Sequence, residues 1–392
     1  MSAAQRPIVI AAGGTGGHLF PAEALAAELL ARGETVALMT DARSAAFESP
    51  AFARAERFVL AGSGLAGHGL LGKLKGAVGL AMGSVSAWKL LRRLNAQAVV
   101  GFGGYPSVPP LRAALAMGRR RPVTVIHEQN AVLGRANRLL APRVDALALS
   151  FADTAKVPAG TQKRVVGNPV RPALAELAGQ GYLPPAPDGV IRLLVLGGSL
   201  GARVFADVVP DAVARLDSGL RQRLVVTQQC RPEDLERVRA AYDSAGVAAE
   251  LARFFPDVAT RLAMAHLVVA RAGASTVAEL ACAGRPSVLV PLPGAIDNHQ
   301  LGNARALADF GGAWLMPQGE FTAESLSVRL AGLFNAPATY HDVPLASAAE
   351  AAATLGQPRA ARALADMVQW LTRAPALAAE RRRAMAPPPE ND

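Results

Sequence analysis

A chain of 392 residues, 51% apolar and 18% charged, is long enough for two domains with substantial cores and too apolar for a disordered chain. Its net charge of +10 favours anionic partners, whereas two cysteines, Cys230 and Cys282, are too few for a disulfide framework or a metal cage. No run reaches the roughly 18 to 20 consecutive apolar residues of a membrane span, and the start shows no signal-peptide pattern, so a cytosolic protein is expected.

The first predicted element is a buried strand at residues 8–12, followed by a turn of Gly13, Gly14, Gly16 and Gly17 and a helix over 19–31. Strand, glycine turn and helix together make a phosphate cradle: glycine lets the backbone approach an anion, and the free N–H groups of the helix start face it. His18, at the end of the turn, is more than a cradle requires. Further strands are expected at 35–40, 57–62, 96–104, 122–128 and 143–150, alternating with helical segments as in a parallel sheet with crossover helices. From Arg57 to His127 no Asp or Glu occurs while Lys and Arg recur, which points to an anionic neighbour or to water. Within that stretch, residues 70–94 place Leu71, Leu74, Val78, Met82, Val85 and Trp88 at helical spacing, with Lys75 and Lys89 beside them. Core packing and contact with an anionic membrane surface both fit such a stripe.

After Gly167 the prolines and glycines of residues 167–189 mark a connection between domains, and the pattern then restarts. "IRLLVLGGSLGARVF" at 191–205 repeats the strand, double glycine and helix of the beginning, and strands follow at 223–229, 249–255, 266–273 and 286–293. Two similar doubly wound Rossmann-like α/β domains are expected to face a central cleft lined by both glycine loops, because ligands of such sheets sit off the carboxyl ends of the strands. The boundaries expected are 1–168, 169–345, C-terminal helices over 346–374 with the last packing back on the N-terminal domain, and a disordered tail at 375–392.

Several common sites are absent. There is no G-x-x-x-x-G-K-[ST] P-loop and no D-x-D pair to hold a metal–diphosphate complex, so neither metal nor cofactor is expected. A dinucleotide site fails at Leu19 in the G-x-G-x-x-G reading, although Asp41 could serve a cofactor ribose. A nucleotide diphosphate bound without metal would have to be met by helix starts and cations. In "ARAGASTVAELACAG" (270–284), the N–H groups of Ala274, Ser275 and Thr276 can hold phosphate oxygens, with Ser275 or Thr276 as a plain helix cap the alternative. Glu279 could accept both ribose hydroxyls or simply favour the helix dipole.

Taken together, GGTGGHLFPA (13–22), GFGGYPS (101–107), HEQN (127–130), GNPVR (167–171), GGSLGA (197–202), RAGASTVAE (271–279) and DNHQ (297–300) resemble, in order and spacing, the MurG family of bacterial N-acetylglucosaminyltransferases over about residues 7–370. The resemblance implies a GT-B fold and inverting transfer of GlcNAc from UDP-GlcNAc to the MurNAc C4 hydroxyl of lipid I, giving lipid II. It also implies a peripheral enzyme at the cytoplasmic face of the inner membrane. Its partners would be anionic inner-leaflet lipids and proteins of cell-wall synthesis and division, with no nucleic acid.

By position in these motifs, His18 is the general base or a ligand of the acceptor pyrophosphate, and Glu128 positions His18 or the acceptor. His127 is structural. Asn130 contacts the donor sugar, Arg171 and Ser199 stabilise the departing UDP, and Phe255 holds uracil through its backbone. Glu279, His299 and Gln300 read donor hydroxyls. Thr15, Gly16 and Gly17 meet the substrates at the first loop, with Gly14, Gly103, Gly104 and Tyr105 on the acceptor side. The stripe of residues 70–94 then reads better as membrane contact. Two departures stand out: Leu200 occupies a place where the family commonly carries glutamine, and "TDARSAAFES" (40–49) follows the family segment only loosely. They predict a lost polar contact near the phosphate with activity retained. The rivals are an epimerase or soluble-acceptor glycosyltransferase on the same fold, an NAD-dependent oxidoreductase, and a non-catalytic membrane adaptor.

Overall fold

A computed structural model describes residues 6–60, 70–198, 201–335 and 344–373. The chain forms two compact units. The first takes the chain up to Gln129, Leu133–Pro169 and the stretch from Arg359; the second takes Asn130–Val132 and Val170–Pro358.

Unit 1 runs β1 (Ile8–Ala11), α1 (Gly16–Ala31), β2 (Val36–Thr40), α2 (Pro50–Ala53), β3 (Glu56–Val59) and α3 (Leu70–Leu94). It continues with β4 (Ala98–Gly101), α4 (Gly104–Leu115), β5 (Val123–Glu128), α5 (Arg135–Leu140), β6 (Ala146–Leu149) and β7 (Lys163–Val165). Unit 2 runs α6 (Pro172–Ala175), β8 (Ile191–Leu196), α7 (Arg203–Ala214), α8 (Ser218–Arg223), β9 (Leu224–Gln229), α9 (Leu235–Ser244), β10 (Ala248–Ala252) and α10 (Val258–Met264). Then come β11 (Leu267–Ala270), α11 (Ala274–Ala283), β12 (Ser287–Leu289), α12 (His299–Ala308), β13 (Ala313–Leu315), α13 (Ala323–Phe334) and α14 (Pro344–Thr354). The last helix, α15 (Ala360–Arg373), returns to unit 1, where it packs on α1.

The sheets are parallel, in the orders β3-β2-β1-β4-β5-β6-β7 and β10-β9-β8-β11-β12-β13. Alternate residues of each strand feed opposite faces, as the two-residue period of a strand requires. In unit 1, Ile8, Ile10, Val36, Leu38 and Val100 pack towards α1 and α15, while Val9, Ala11, Ala37, Met39 and Val99 pack towards α3 and α4. Sheets covered on both sides explain why the strands read as apolar runs. In each sheet the chain reverses direction beside the first strand, so the loops after β1 and β4, and after β8 and β11, diverge and leave a crevice for ligand at their carboxyl ends.

Some elements differ from expectation. The first helix begins at Gly16, not residue 19, since Thr15 is its N-cap and Gly16 and Gly17 form its first turn. The 96–104 run stops as a strand at Gly101, and Gly103 caps α4. Edge strands β7 and β13 escaped notice, the former because all three residues are exposed and carry no apolar alternation. The tail at 375–392 lies outside the described residues.

Helix α3 corrects the core reading of the apolar stripe. Its buried side is Ala87 and Leu91, with Leu80, Trp88, Leu90 and Leu94 packed against the core. Val78, Met82 and Val85 are 52%, 59% and 55% exposed, and Lys89 is exposed. The Arg92 guanidinium sits 4.7 Å over the half-buried Trp88 ring. The side chains of Leu71, Leu74 and Lys75 lie outside the described residues.

Candidate active site

In unit 1 the first glycine loop is held from three sides. A Cβ at Gly13 would stand 3.0 Å from Pro106 Cγ and 3.1 Å from Asp41 Oδ1, so only glycine lets the loop lie against them. Gly14 donates its N–H to Ser44 Oγ at 2.7 Å, and Asp41 Oδ1 accepts the Ser44 N–H at 3.0 Å. Asp41 is therefore a buried prop of the 40–49 turn, also paired with Arg43 at 3.2 Å, and not a ribose ligand.

His18, in the first turn of α1, is half-buried. Its ring lies against the loop after β4, where Gly103 and Gly104 both have positive φ (83° and 67°). A Cβ on either would come into ordinary contact with the ring at 3.4 Å, so it is the positive φ that calls for glycine here. His18 Nδ1 lies 3.1 Å from Gln129 Oε1. Glu128, expected beside His18, instead turns its buried carboxylate to the N–H of Gly134 (2.8 Å) and to Asn137 Nδ2 (2.7 Å), bracing the start of α5. His127 is structural: its Nε2 lies 2.9 Å from the Gly167 carbonyl, and complete burial lowers its pKa to about 4. Tyr105 is 68% exposed on the first turn of α4.

In unit 2 the second glycine loop is held by Gln229, whose Oε1 accepts from Gly197 N–H (3.1 Å) and whose Nε2 donates to the Gly198 carbonyl (3.0 Å). A Cβ at Gly197 would run into the backbone of Gly201 and Ala202. Ser199 and Leu200 lie outside the described residues. After β11, Gly273 caps α11 without any side-chain bond, so neither Ser275 nor Thr276 serves as the cap. The N–H groups of Ala274, Ser275 and Thr276 form the first turn, and Ser275 Oγ is buried with no hydrogen-bond partner among the described residues. Free N–H groups beside an unsatisfied hydroxyl suit an anion.

Glu279 lies buried further along α11, with Arg171 Nη2 3.4 Å from its Oε1. Burial raises its carboxyl pKa and the Arg171 charge pulls it back. Asn130 groups with unit 2, where its Oδ1 accepts from Asn303 Nδ2 (3.1 Å) and the Ala131 N–H reaches Asn303 Oδ1 (2.8 Å). Asp297 and Asn298 both adopt left-handed φ (56° and 53°), a strained pair that turns the chain into α12. There His299 Nδ1 lies 2.7 Å from the Ile296 carbonyl, and Gln300 Oε1 accepts the Leu292 N–H at 2.9 Å. Phe255, buried beyond β10, lies under the Arg261 guanidinium at 4.2 Å.

Gln129, Gln229 and Asn303 organise these sites and were not singled out from sequence. Gln129 was legible as the third letter of HEQN, and Gln229 as a polar end to an apolar strand; nothing local marks Asn303.

Two domain models match, the glycosyltransferase family 28 N-terminal domain over residues 8–149 and the family 28 C-terminal domain over residues 192–361. The chain belongs to glycosyltransferase family 28. A relative from Granulibacter bethesdensis is 60% identical over 366 residues, 93% of this chain and 94% of its own length. It is named "UDP-N-acetylglucosamine--N-acetylmuramyl-(pentapeptide) pyrophosphoryl-undecaprenol N-acetylglucosamine transferase". A relative of the same name from Rhodospirillum rubrum is 54% identical over 361 residues, covering 92% of this chain and 91% of its own. Among solved structures, MurG of Acinetobacter baumannii superposes with a TM-score of 0.73 at 29% identity, covering 93% of this chain and 99% of that one. The two Rossmann-like sheets are thus those of the GT-B fold of family 28 glycosyltransferases, and it is the family match, not the fold, that sets aside the oxidoreductase and epimerase readings.

Proposed function

We propose that this protein is the hexosyltransferase of peptidoglycan synthesis that converts lipid I to lipid II. It moves GlcNAc from UDP-GlcNAc to the MurNAc C4 hydroxyl with inversion. The observation that carries this reading is the relative 60% identical across nearly the whole chain, whose name states this transfer. Intact motif residues support it.

Unit 2 takes the donor. The first turn of α11 and Ser275 hold phosphate oxygens, Glu279 takes the ribose hydroxyls, and the Phe255 backbone holds uracil. Asn130, His299 and Gln300 read the sugar. Arg171, freed from Glu279 by the ribose, meets the diphosphate and with Ser199 stabilises leaving UDP. Unit 1 takes the acceptor against Gly14, Gly103, Gly104 and Tyr105, with Thr15, Gly16 and Gly17 at the helix start. His18 removes the C4 proton as the new bond forms. The exposed Val78, Met82 and Val85 of α3, flanked by Lys89, rest on the anionic inner leaflet, a peripheral attachment consistent with there being no helix among the described residues able to cross a membrane.

The test is transfer of labelled GlcNAc from UDP-GlcNAc to a lipid I analogue in detergent, with EDTA present. Transfer is expected. Binding of UDP-GlcNAc without transfer to this acceptor would overturn the proposal.

A further inference from the structure

His18 can accept a proton only on a ring nitrogen that does not already carry one, and its surroundings decide which nitrogen that is. The decision begins at the Gly167 carbonyl, which can only accept, so His127 Nε2, 2.9 Å away, carries a hydrogen. His127 is wholly buried and its pKa is lowered to about 4, so near neutral pH its Nδ1 holds a lone pair. Gln129 Nε2 lies 3.0 Å from that lone pair and 3.0 Å from the His127 carbonyl oxygen. Two acceptors thus take the two amide hydrogens. Turned over, the amide would set its oxygen against both of them, in a site where Gln129 is 1% exposed and the low dielectric strengthens the repulsion. The amide oxygen therefore faces His18 Nδ1 at 3.1 Å, and an oxygen acceptor there requires Nδ1 to be the protonated nitrogen.

We propose that Gln129 is a positioning residue that holds His18 as the Nδ1–H tautomer, with His127 and the Gly167 carbonyl fixing the orientation of Gln129, so that His18 Nε2 is the unprotonated nitrogen offered to the acceptor hydroxyl. This rests on the reading of His18 as the base. The free nitrogen lies on the side of the ring facing Gly104, since a Cβ there would come 3.4 Å from Nε2. As the C4 oxygen bonds to the anomeric carbon, the bond from that carbon to UDP breaks, the electron pair leaves with UDP, and the hydroxyl proton passes to Nε2. The resulting imidazolium still donates from Nδ1 to Gln129 Oε1, which favours the charge formed in the transition state.

The experiment has two readouts on the full-length protein. Long-range proton–nitrogen correlation on protein labelled with ¹⁵N in its six histidines, with His18 assigned by comparison with His18→Ala, reports which nitrogen carries the proton. Wild type is expected to show Nδ1–H; Nε2–H in wild type overturns the proposal, and this reading needs no variant to fold. In Gln129→Met, which keeps volume but replaces the amide oxygen with a far weaker acceptor and removes the amide donor, the tautomer is expected to become mixed. There kcat should fall roughly tenfold to a hundredfold while the KM for UDP-GlcNAc stays within about twofold, as for loss of an interaction made at the base. A Gln129→Met protein with wild-type tautomer and kcat also overturns it. Full turnover by His18→Ala would instead remove the base reading, leaving the tautomer measurement to judge the hydrogen-bond chain by itself.

Discussion

The two glycine loops follow the first strands of sheets that share their strand order over six strands, but what surrounds them differs in kind. Behind the first loop stand His18, Gln129 and His127, a chain of ring and amide groups that ends on a carbonyl. Around the second, Gln229 only secures backbone, and the neighbouring helix start offers N–H groups and the Ser275 hydroxyl, which has no hydrogen-bond partner among the described residues. A doubly wound sheet dictates where a ligand lies; the side chains at the mouth of each loop decide whether that place moves a proton or holds an anion. On the proposed reading, unit 1 performs the first task and unit 2 the second.

The comparison is broken most forcefully at His18. His18→Ala should lower kcat roughly a hundredfold to ten-thousandfold, the usual contribution of a general base, measured as GlcNAc transfer at saturating donor. Loss of less than tenfold would mean that the first loop only binds.

The two units also share a liability. Burial lowers the pKa of His127 in unit 1 and of His266 in unit 2 to about 4 each. The unfolded chain binds protons at these histidines below about pH 6.5 and the folded one does not, so stability is full above that pH and is lost as pH falls towards 4. For fully buried His127 the loss is up to about 3 kcal/mol, and less for the partly exposed His266. Urea unfolding at pH 7 and pH 4.5 checks this, and equal midpoints would contradict it.

In unit 2, Glu279→Gln should raise the KM for UDP-GlcNAc about tenfold, equivalent to roughly 1.4 kcal/mol, with kcat little changed. An unchanged KM would mean that Glu279 serves only to pair with Arg171. The smallest effect is expected on α3: Met82→Asp with Val85→Asp should weaken binding to vesicles containing anionic lipid by several-fold to about tenfold and leave transfer in detergent intact. Unaltered vesicle binding would exclude that face.

Strands packed on both faces were legible because they need uninterrupted apolar residues, as at Ile8–Ala11 and Ile191–Leu196. β7 was not, since an exposed edge places no apolar demand on Lys163, Arg164 and Val165. The first helix was misread at its start because glycine looks like a turn, whereas Gly16 and Gly17 form the first helical turn behind the Thr15 N-cap. The motifs singled out His18, Glu279 and Gln300 as candidates. Which neighbour faces His18 was not legible: Glu128 and Gln129 are adjacent, successive side chains of an extended chain point to opposite sides, and the carboxylate goes to α5 while the amide goes to the ring. Asn303 meets Asn130 across more than 170 residues of chain, a contact that no local pattern announces.

The division of labour is tested most directly by UDP-GlcNAc affinity in His18→Ala, measured by titration calorimetry beside its transfer rate. Affinity within about twofold of wild type, with transfer lost, is the expected result. Loss of donor affinity together with transfer would contradict it, and His18 would then belong to the donor site.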